Sequence, residues 1–174
     1  SVRVLDHTTI RPAPAPPRKS ALEKALELTL TLGDALIKYP QEHIKILCML
    51  IDEGKVKPIY IKHLEHCLTL NYPTHVSPEL TKIRKFLKIY ATKQDDYSLL
   101  YKIQNIEIQL LAIQPELNED QKEILLSLYR EQLNYIHPLF EGHLKAMKYS
   151  KAHAFILEAQ EICSKIEALK PNAD

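Results

Sequence analysis

The sequence predicts an all-α fold of about seven helices, arranged either as a compact bundle or as a short superhelical stack. Apolar residues recur at three- and four-residue steps along most of the 174-residue chain. Only three glycines are present and no Asn-Gly or Asp-Gly turn occurs, so β-hairpins are disfavoured. Helix starts are expected near residues 20, 40, 58, 78, 96, 118 and 138, a regular spacing that suits packed helical pairs.

The composition and the prolines predict a single helical domain with an extended arm. Hydrophobic residues make up 45% and charged residues 26%, which suits one globular domain with a sizeable core. Residues 11–19 form the tract RPAPAPPRK, in which each proline fixes φ and disfavours helix before it. We expect residues 1–19 to be an arm or linker, residues 20–170 the domain, and residues 171–174 a tail. The chain opens with Ser1, which is compatible with a piece of a longer protein.

The helix predicted over residues 96–114 is expected at the centre of the domain. Asp95 and Asp96 are good N-cap residues, and Pro115 ends the helix. Interspersed polar residues exclude a membrane span. Apolar positions cover most sides of this helix and predict its burial: Leu99, Leu100, Tyr101, Ile103, Ile106, Ile108, Leu110, Leu111 and Ile113.

The other helix boundaries follow from caps, prolines and one glycine. Starts are predicted at Ser20 with Glu23 as a capping box, at Pro40, Pro58 and Ser77-Pro78, and at Asn118 with Gln121 as a second box. Ends are predicted near Tyr39, Gly54 and Asn71, and before Pro138. From residue 138 to 169, the pattern fits either one long helix or two helices separated by a bend near Ser150, with Phe140, Leu144 and Met147 on the apolar stripe.

The cysteines predict a reducing compartment. Cys48, Cys67 and Cys163 are odd in number, far apart, and each lies in an apolar helical pattern. A disulfide framework is therefore not expected. No signal peptide or membrane-spanning run is recognisable, so the sequence favours a cytoplasmic protein, with a membrane-peripheral location as an alternative.

Charge is unevenly distributed although the formal net charge is only +1. Residues 54–93 carry eight Lys or Arg against two Glu, whereas residues 94–136 carry three against eight acids. The two segments either neutralise each other across neighbouring helices or steer a charged partner.

The basic segment supplies the candidate partner- and anion-binding residues, which are Lys82, Arg84, Lys85, Lys88, Lys93, Lys55, Lys57 and Lys62. Lysines beside the apolar stripe of helix 79–93 suit an acidic surface or helix of another protein. The same cations suit the phosphates of an anionic lipid such as a phosphoinositide, or they form an ordinary solvated face. Nucleic acid is not an expected partner, because the pI of about 7.7 is near neutral and no recognised motif is present.

The proline-rich arm offers a second candidate site. Arg11, Pro14 and Pro17 match R-x-x-P-x-x-P, and Pro14, Pro17 and Lys19 match P-x-x-P-x-K. Both patterns are typical of polyproline-II ligands of Src-homology-type domains. The alternative is a plain linker, which needs only stiffness and solubility.

Histidine-containing stretches give little support for a metal site or an enzyme. His63, His66 and Cys67 are spaced to share one helix face, but neither C-x-x-C nor H-E-x-x-H occurs. His137 and His143 lie near an expected helix start, where a structural capping role is the simpler interpretation. We therefore expect no bound metal, no cofactor and no catalytic residues.

These observations favour a non-enzymatic adaptor or scaffold module of a larger intracellular protein or assembly. It is expected to bind another protein through a charged helical face. The alternative is a domain that docks on anionic, phosphoinositide-bearing membranes through the basic helix 79–93.

Overall fold

The computed structural model describes Lys24 and residues 40–170, and within residues 40–170 it is all-α without strands, as predicted. Short 3-10 helices at Pro58–Tyr60 and Tyr72–Val76 lie in the connections between α-helices. The predicted arm 1–19, most of the helix predicted from Ser20 to Tyr39, and the tail 171–174 lie outside the described residues. Within residues 40–170 there are six α-helices, in the order α1 (Pro40–Asp52), α2 (Ile61–Cys67), α3 (Pro78–Lys93), α4 (Tyr97–Ala112), α5 (Glu119–Lys145) and α6 (Tyr149–Leu169).

Helices α1, α3, α4 and α5 begin where local sequence signals predict them. The side chain of Ser77 accepts a hydrogen bond from the Leu80 amide at 3.2 Å, and that of Asp96 accepts one from the Leu99 amide at 3.1 Å. Asn118 forms the predicted capping box, in which its side chain and that of Gln121 each accept a hydrogen bond from the other residue's amide. These bonds satisfy amides that the first turn of a helix leaves unpaired.

Three helix ends share one backbone motif. After α1, α3 and α5, the chain enters the left-handed region at Gly54 (φ 67°), Asp95 (φ 51°) and Met147 (φ 60°). At each of these ends, two amides bond back to carbonyls of the last turn, for example Lys148 to His143 at 2.8 Å and Met147 to Leu144 at 3.0 Å. This is the Schellman pattern, and it confirms the predicted end at Gly54.

The predicted helix boundary at Pro138 is wrong. α5 runs through this proline to Lys145, and the break between α5 and α6 falls at residues 146–148. A proline inside a helix removes one hydrogen bond to the carbonyl four residues earlier, here that of Asn134. Asn134 is exposed, so water can satisfy that carbonyl, while Ile136 keeps this part of α5 packed in the core. The pattern from 138 to 169 therefore belongs to two helices, with the break close to the predicted bend.

Helix α4 has the central position predicted for it. It packs against α3 on one side and α5 on the other, with Leu99, Leu100, Ile103, Ile106 and Ile108 buried. Leu110 is only half-buried, and Ile113 is exposed because it follows the end of the helix at Ala112. From α2 to α6, the main contacts join successive helices, and α1 packs against α3, so the described part of the chain forms a stack of helices that are close in sequence.

The buried residues of the described part of the chain form two apolar clusters. The first is built from α1, α2, α3 and the first half of α4, and the second from the end of α4 with α5 and α6. Between Ile103 of the first cluster and Ile108 of the second, α4 carries two polar side chains that pair with α5. The Gln104 amide donates to Glu131, and the Gln132 amide donates to Asn105. We call these four residues the polar layer.

Candidate functional site

Helix α3 holds five of the eight basic residues predicted to bind a partner. The helix is anchored by Leu80, Ile83, Leu87 and Ala91, which are completely buried. Lys85 lies outside this stripe and is exposed, whereas Lys82 and Lys88 lie at its edges and are half-buried. The same amphipathic pattern that fixes the helix therefore also determines which cations reach solvent.

The prediction that Arg84 belongs to the basic face is wrong, because only 6% of this residue is exposed. One guanidinium nitrogen donates to the His75 carbonyl at 2.9 Å and lies 3.2 Å from His75 Nδ1. The other donates to Thr81 Oγ1 at 3.3 Å. Burial and the Arg84 charge lower the pKa of His75, which favours a neutral ring that can accept from the guanidinium. The hydrogen bonds of Arg84 thus join the second 3-10 helix to α3, and its guanidinium is not available to a partner.

Two of the lysines are paired with acids of this chain. Lys82 Nζ contacts both carboxylate oxygens of Asp52, at 2.7 and 2.8 Å, and this hydrogen bonding raises the pKa of Lys82. Lys88 lies 3.8 Å from Glu107, which joins the basic segment to the acidic one. Lys85 and Lys93 are exposed, and neither forms a salt bridge with a residue in the described range 40–170. Lys85 is therefore an available cation on this surface.

An open groove lies beside Lys82 and Lys85. Its volume is about 590 Å³, and its other lining residues are Ile51 of α1 together with Val76, Pro78, Thr81, Phe86 and Ile89 at and along α3. Val76 is 68% exposed and Ile89 is 61% exposed. We call this feature the α1–α3 groove. An apolar concavity edged by charge is a common form of binding site.

The remaining predicted lysines do not line the α1–α3 groove. Lys55 follows the end of α1 and lies 3.2 Å from Glu53. Lys57 is exposed before the first 3-10 helix, and Lys62 is exposed on α2. Of the eight predicted basic residues, the structure brings Lys82 and Lys85 to the groove.

The metal candidates His63, His66 and Cys67 are not grouped as ligands of one ion in the described residues. Cys67 is fully buried, its thiol donates to the His63 carbonyl at 3.3 Å, and burial raises its pKa to about 12. His63 Nδ1 instead lies 3.2 Å from His43 Nε2. Across residues 40–170, no three His, Cys, Asp or Glu side chains are grouped so that they could hold a metal ion.

The structure describes the histidines at 137 and 143 but not the proline-rich arm. His137 lies 3.2 Å from Glu141 on the surface of α5, and His143 stacks on Phe155 with ring centroids 5.5 Å apart. Both histidines are therefore inside α5 and not at a helix start. The arm residues Arg11, Pro14, Pro17 and Lys19 lie outside the described residues, so their role as a ligand stays a prediction.

The apolar lining of the α1–α3 groove was not predicted. Val76 and Ile89 become a site only because the second 3-10 helix places Val76 beside α3, and no local motif marks this arrangement. Ile89 did carry a signal, because it lies outside the stripe formed by Leu80, Ile83, Leu87 and Ala91. An isoleucine on the polar side of an amphipathic helix is an exposed apolar residue.

No protein-family model matches the chain, and no curated protein and no solved structure is significantly similar to it. The helices described here are too short or too polar for any of them to cross a membrane.

Proposed function

We propose that the chain is a non-enzymatic interaction module of the adaptor or scaffold type, which binds an acidic amphipathic helix of another protein in the α1–α3 groove. One observation carries the proposal: the groove has an apolar lining with exposed Val76 and Ile89, and Lys82 and Lys85 lie among its lining residues. Helix-in-groove recognition uses apolar anchors, and complementary charge around them adds specificity.

The apolar part of the groove supplies the affinity in this proposal. Val76 and Ile89 both expose most of their surface. Covering such a side chain contributes about 1.5–3 kcal/mol when its burial is complete. A helix with apolar residues at three- and four-residue steps would place one face against Val76, Phe86 and Ile89.

The charged part supplies selectivity. Lys85 is exposed, and no described acid forms a salt bridge with it. Lys82 is held by Asp52 in an exposed pair, which is worth little and can be exchanged for a partner carboxylate. Acidic residues beside the apolar stripe of the partner helix would therefore speed association and disfavour basic partners.

The shape of the site favours a protein helix over the anionic-lipid alternative for helix 79–93. The lysines border a concave surface, which accepts a protruding helix, whereas a bilayer presents a nearly flat one. We also propose that the module works in a reducing, intracellular compartment. Cys48, Cys67 and Cys163 are all free thiols, which supports this location.

Site-specific photo-crosslinking from the full chain tests the proposal. A photoreactive residue replaces Ile89, and a matched control replaces Ile113, which is equally exposed at the end of α4. We expect the Ile89 variant to capture a segment that is rich in Asp and Glu and amphipathic as a helix, and the Ile113 variant to leave that segment uncaptured.

The captured partner is then purified and titrated against charge variants. Lys85→Glu is expected to weaken binding at least about tenfold. A higher salt concentration should lower the affinity of the unsubstituted protein more than that of the variant. Lys102→Glu, which changes an exposed lysine on α4, is the control and should leave binding unchanged. Equal binding by both variants, capture of non-acidic segments, or binding of anionic vesicles that depends on Lys85 would each contradict the protein-helix proposal.

A further inference from the structure

The turn between α5 and α6 forms a second exposed surface, separate from the α1–α3 groove. All eight residues from 144 to 151 are exposed. They include three large apolar or aromatic side chains, Leu144 (43% exposed), Met147 (74%) and Tyr149 (62%). We call residues 144–151 the α5–α6 tip. Apolar side chains clustered at one end of a helical hairpin require a physical explanation, because such clusters mark interaction sites.

The α5–α6 tip is also strongly basic. Lys145, Lys148 and Lys151 lie within it, and no Asp or Glu occurs between Glu141 and Glu158. In the part of the chain that the structure describes, none of the three lysines forms a salt bridge. Three cations therefore lie among the apolar side chains of the tip, and no acid of the described residues pairs with them.

The backbone fixes how the tip is presented. Met147 is held in the left-handed region by hydrogen bonds that the backbone amides of residues 147 and 148 donate to carbonyls in the last turn of α5. This is a defined helix end, so the apolar side chains are displayed by ordered backbone. Presentation on a rigid turn reduces the entropy lost on binding.

The tip protrudes beyond the helix that packs against α5. Tyr97, in the first turn of α4, contacts Tyr135, with ring centroids 6.3 Å apart. Because α4 and α5 are antiparallel, the last ten residues of α5 extend past this contact, which corresponds to about 15 Å at 1.5 Å per residue. Helix α6 returns antiparallel to α5, as the contact between His143 and Phe155 shows. The tip is thus the end of a projecting hairpin.

We infer that the α5–α6 tip docks the protein on an anionic bilayer surface, with Met147 and Tyr149 entering the interface and Lys145, Lys148 and Lys151 contacting headgroup phosphates. A protruding end with separated apolar side chains suits a fluid, nearly planar surface. Tyrosine is favoured at the depth where an apolar ring meets the headgroups. Lysines near an anionic leaflet each strengthen attachment, and the apolar side chains add to it.

The first test is vesicle flotation with the full chain. Vesicles of phosphatidylcholine alone are compared with vesicles containing about 30% phosphatidylserine. We expect partitioning at least about tenfold stronger on the anionic vesicles. The variant Lys145→Glu/Lys148→Glu/Lys151→Glu should lose this gain, whereas Lys85→Glu/Lys88→Glu on α3 should keep it.

Met147→Gly separates the lipid contact from any effect on folding. Glycine adopts the left-handed conformation at this position without steric strain, so the variant should be at least as stable as the unsubstituted chain. It removes the most exposed apolar side chain of the tip, and therefore should weaken vesicle binding severalfold. A rise in stability together with a loss of binding is not expected from a purely structural residue.

The second test uses fluorescence. The chain contains no tryptophan, so Tyr149→Trp introduces a single reporter, and Tyr72→Trp on the second 3-10 helix is the control. Anionic vesicles should shift the emission of Trp at 149 to shorter wavelength and leave that at 72 unchanged. The proposal is overturned by equal partitioning on neutral vesicles, by retained binding in the triple-Glu variant, by binding that depends on Lys85 and Lys88, or by an unshifted emission at 149.

Discussion

Single backbone positions set the ends of three helices. Gly54, Asp95 and Met147 all occupy the left-handed region, but glycine alone does so without steric cost. The sequence predicted the end at Gly54 because glycine signals it, and gave no comparable signal at Met147. The extra bonds of the motif and the packing of α5 against α6 hold Met147 in this conformation.

Exchanges at two of these positions should change stability in opposite directions. Met147→Gly is expected to raise the free energy of unfolding by about 0.5–1 kcal/mol, because it removes backbone strain at an exposed site. Gly54→Ala should lower it by about 1 kcal/mol, since no atom lies within 4 Å of an added Cβ and only the backbone is strained. Urea unfolding of the full chain measures both. Two changes of the same sign would contradict the inference that the backbone is strained at Met147 and unstrained at Gly54.

Arg84 and Lys85 are neighbours with different roles, and the helical spacing contains the distinction. Leu80, Arg84, Leu87 and Ala91 recur at steps of four, three and four, so position 84 belongs to the buried stripe. Position 85 does not. The predicted basic face included Arg84, although this spacing places it in the buried stripe.

Replacing each of these two residues by methionine should have unequal effects on stability. Arg84→Met keeps most of the volume but leaves the His75 carbonyl and ring nitrogen without their donor, so we expect a loss of about 2–3 kcal/mol. Lys85→Met, the matched control, should change stability by less than about 0.5 kcal/mol. Chemical denaturation measures the free energy of unfolding of both variants. Similar losses would mean that the guanidinium contacts do not stabilise the fold.

At the scale of elements, the junction of α1 and α2 depends on neutral imidazoles. His43 is buried, and its Nε2 lies 3.2 Å from His63 Nδ1. Burial, with the charges of His63 and His66, lowers the pKa of His43 to about 4. Burial and His66 also lower the pKa of His63. In the unfolded chain, both histidines would titrate near their ordinary value.

Acid should therefore weaken the fold through this junction. Between about pH 6.5 and pH 4, the unfolded chain protonates His43 and the folded chain does not, so stability falls as the pH falls. His43→Gln should reduce the loss between about pH 7 and pH 5 by about 1–2 kcal/mol. His153→Gln, at an exposed position on α6, is the control. Urea midpoints at both pH values measure the effect, and an unchanged loss in His43→Gln would exclude this junction as the cause.

The polar layer should couple α4 to α5. Gln132 is buried and its amide donates to Asn105, so removing either side chain leaves the other unpaired in the interface. A double-mutant cycle with Asn105→Ala and Gln132→Ala should give a coupling energy of about 0.5–1.5 kcal/mol. The exposed pair Gln114 and Gln121 is the control and should give less than about 0.5 kcal/mol. Coupling no larger than that of the control would contradict the inferred interaction.

The whole fold could be predicted in outline because its signals are local. Helix periodicity, the caps at Ser77, Asp96 and Asn118, and the glycine at 54 each act within a few residues. The extension of α5 through Pro138 was missed because packing between helices overrode the preference of the proline. The α1–α3 groove and the α5–α6 tip likewise depend on which surfaces remain uncovered after packing, and a one-dimensional pattern does not contain that information.

The order of packing has a consequence for how the molecule forms. From α2 to α6, each helix lies mainly against its neighbours along the chain, and α1 packs against α3, which is only one helix further on. Pairings between residues that are near in sequence close short loops and carry a small entropic penalty, so such topologies fold quickly. The segment up to residue 112 could thus bury its own apolar cluster while the ribosome is still adding the hairpin that follows.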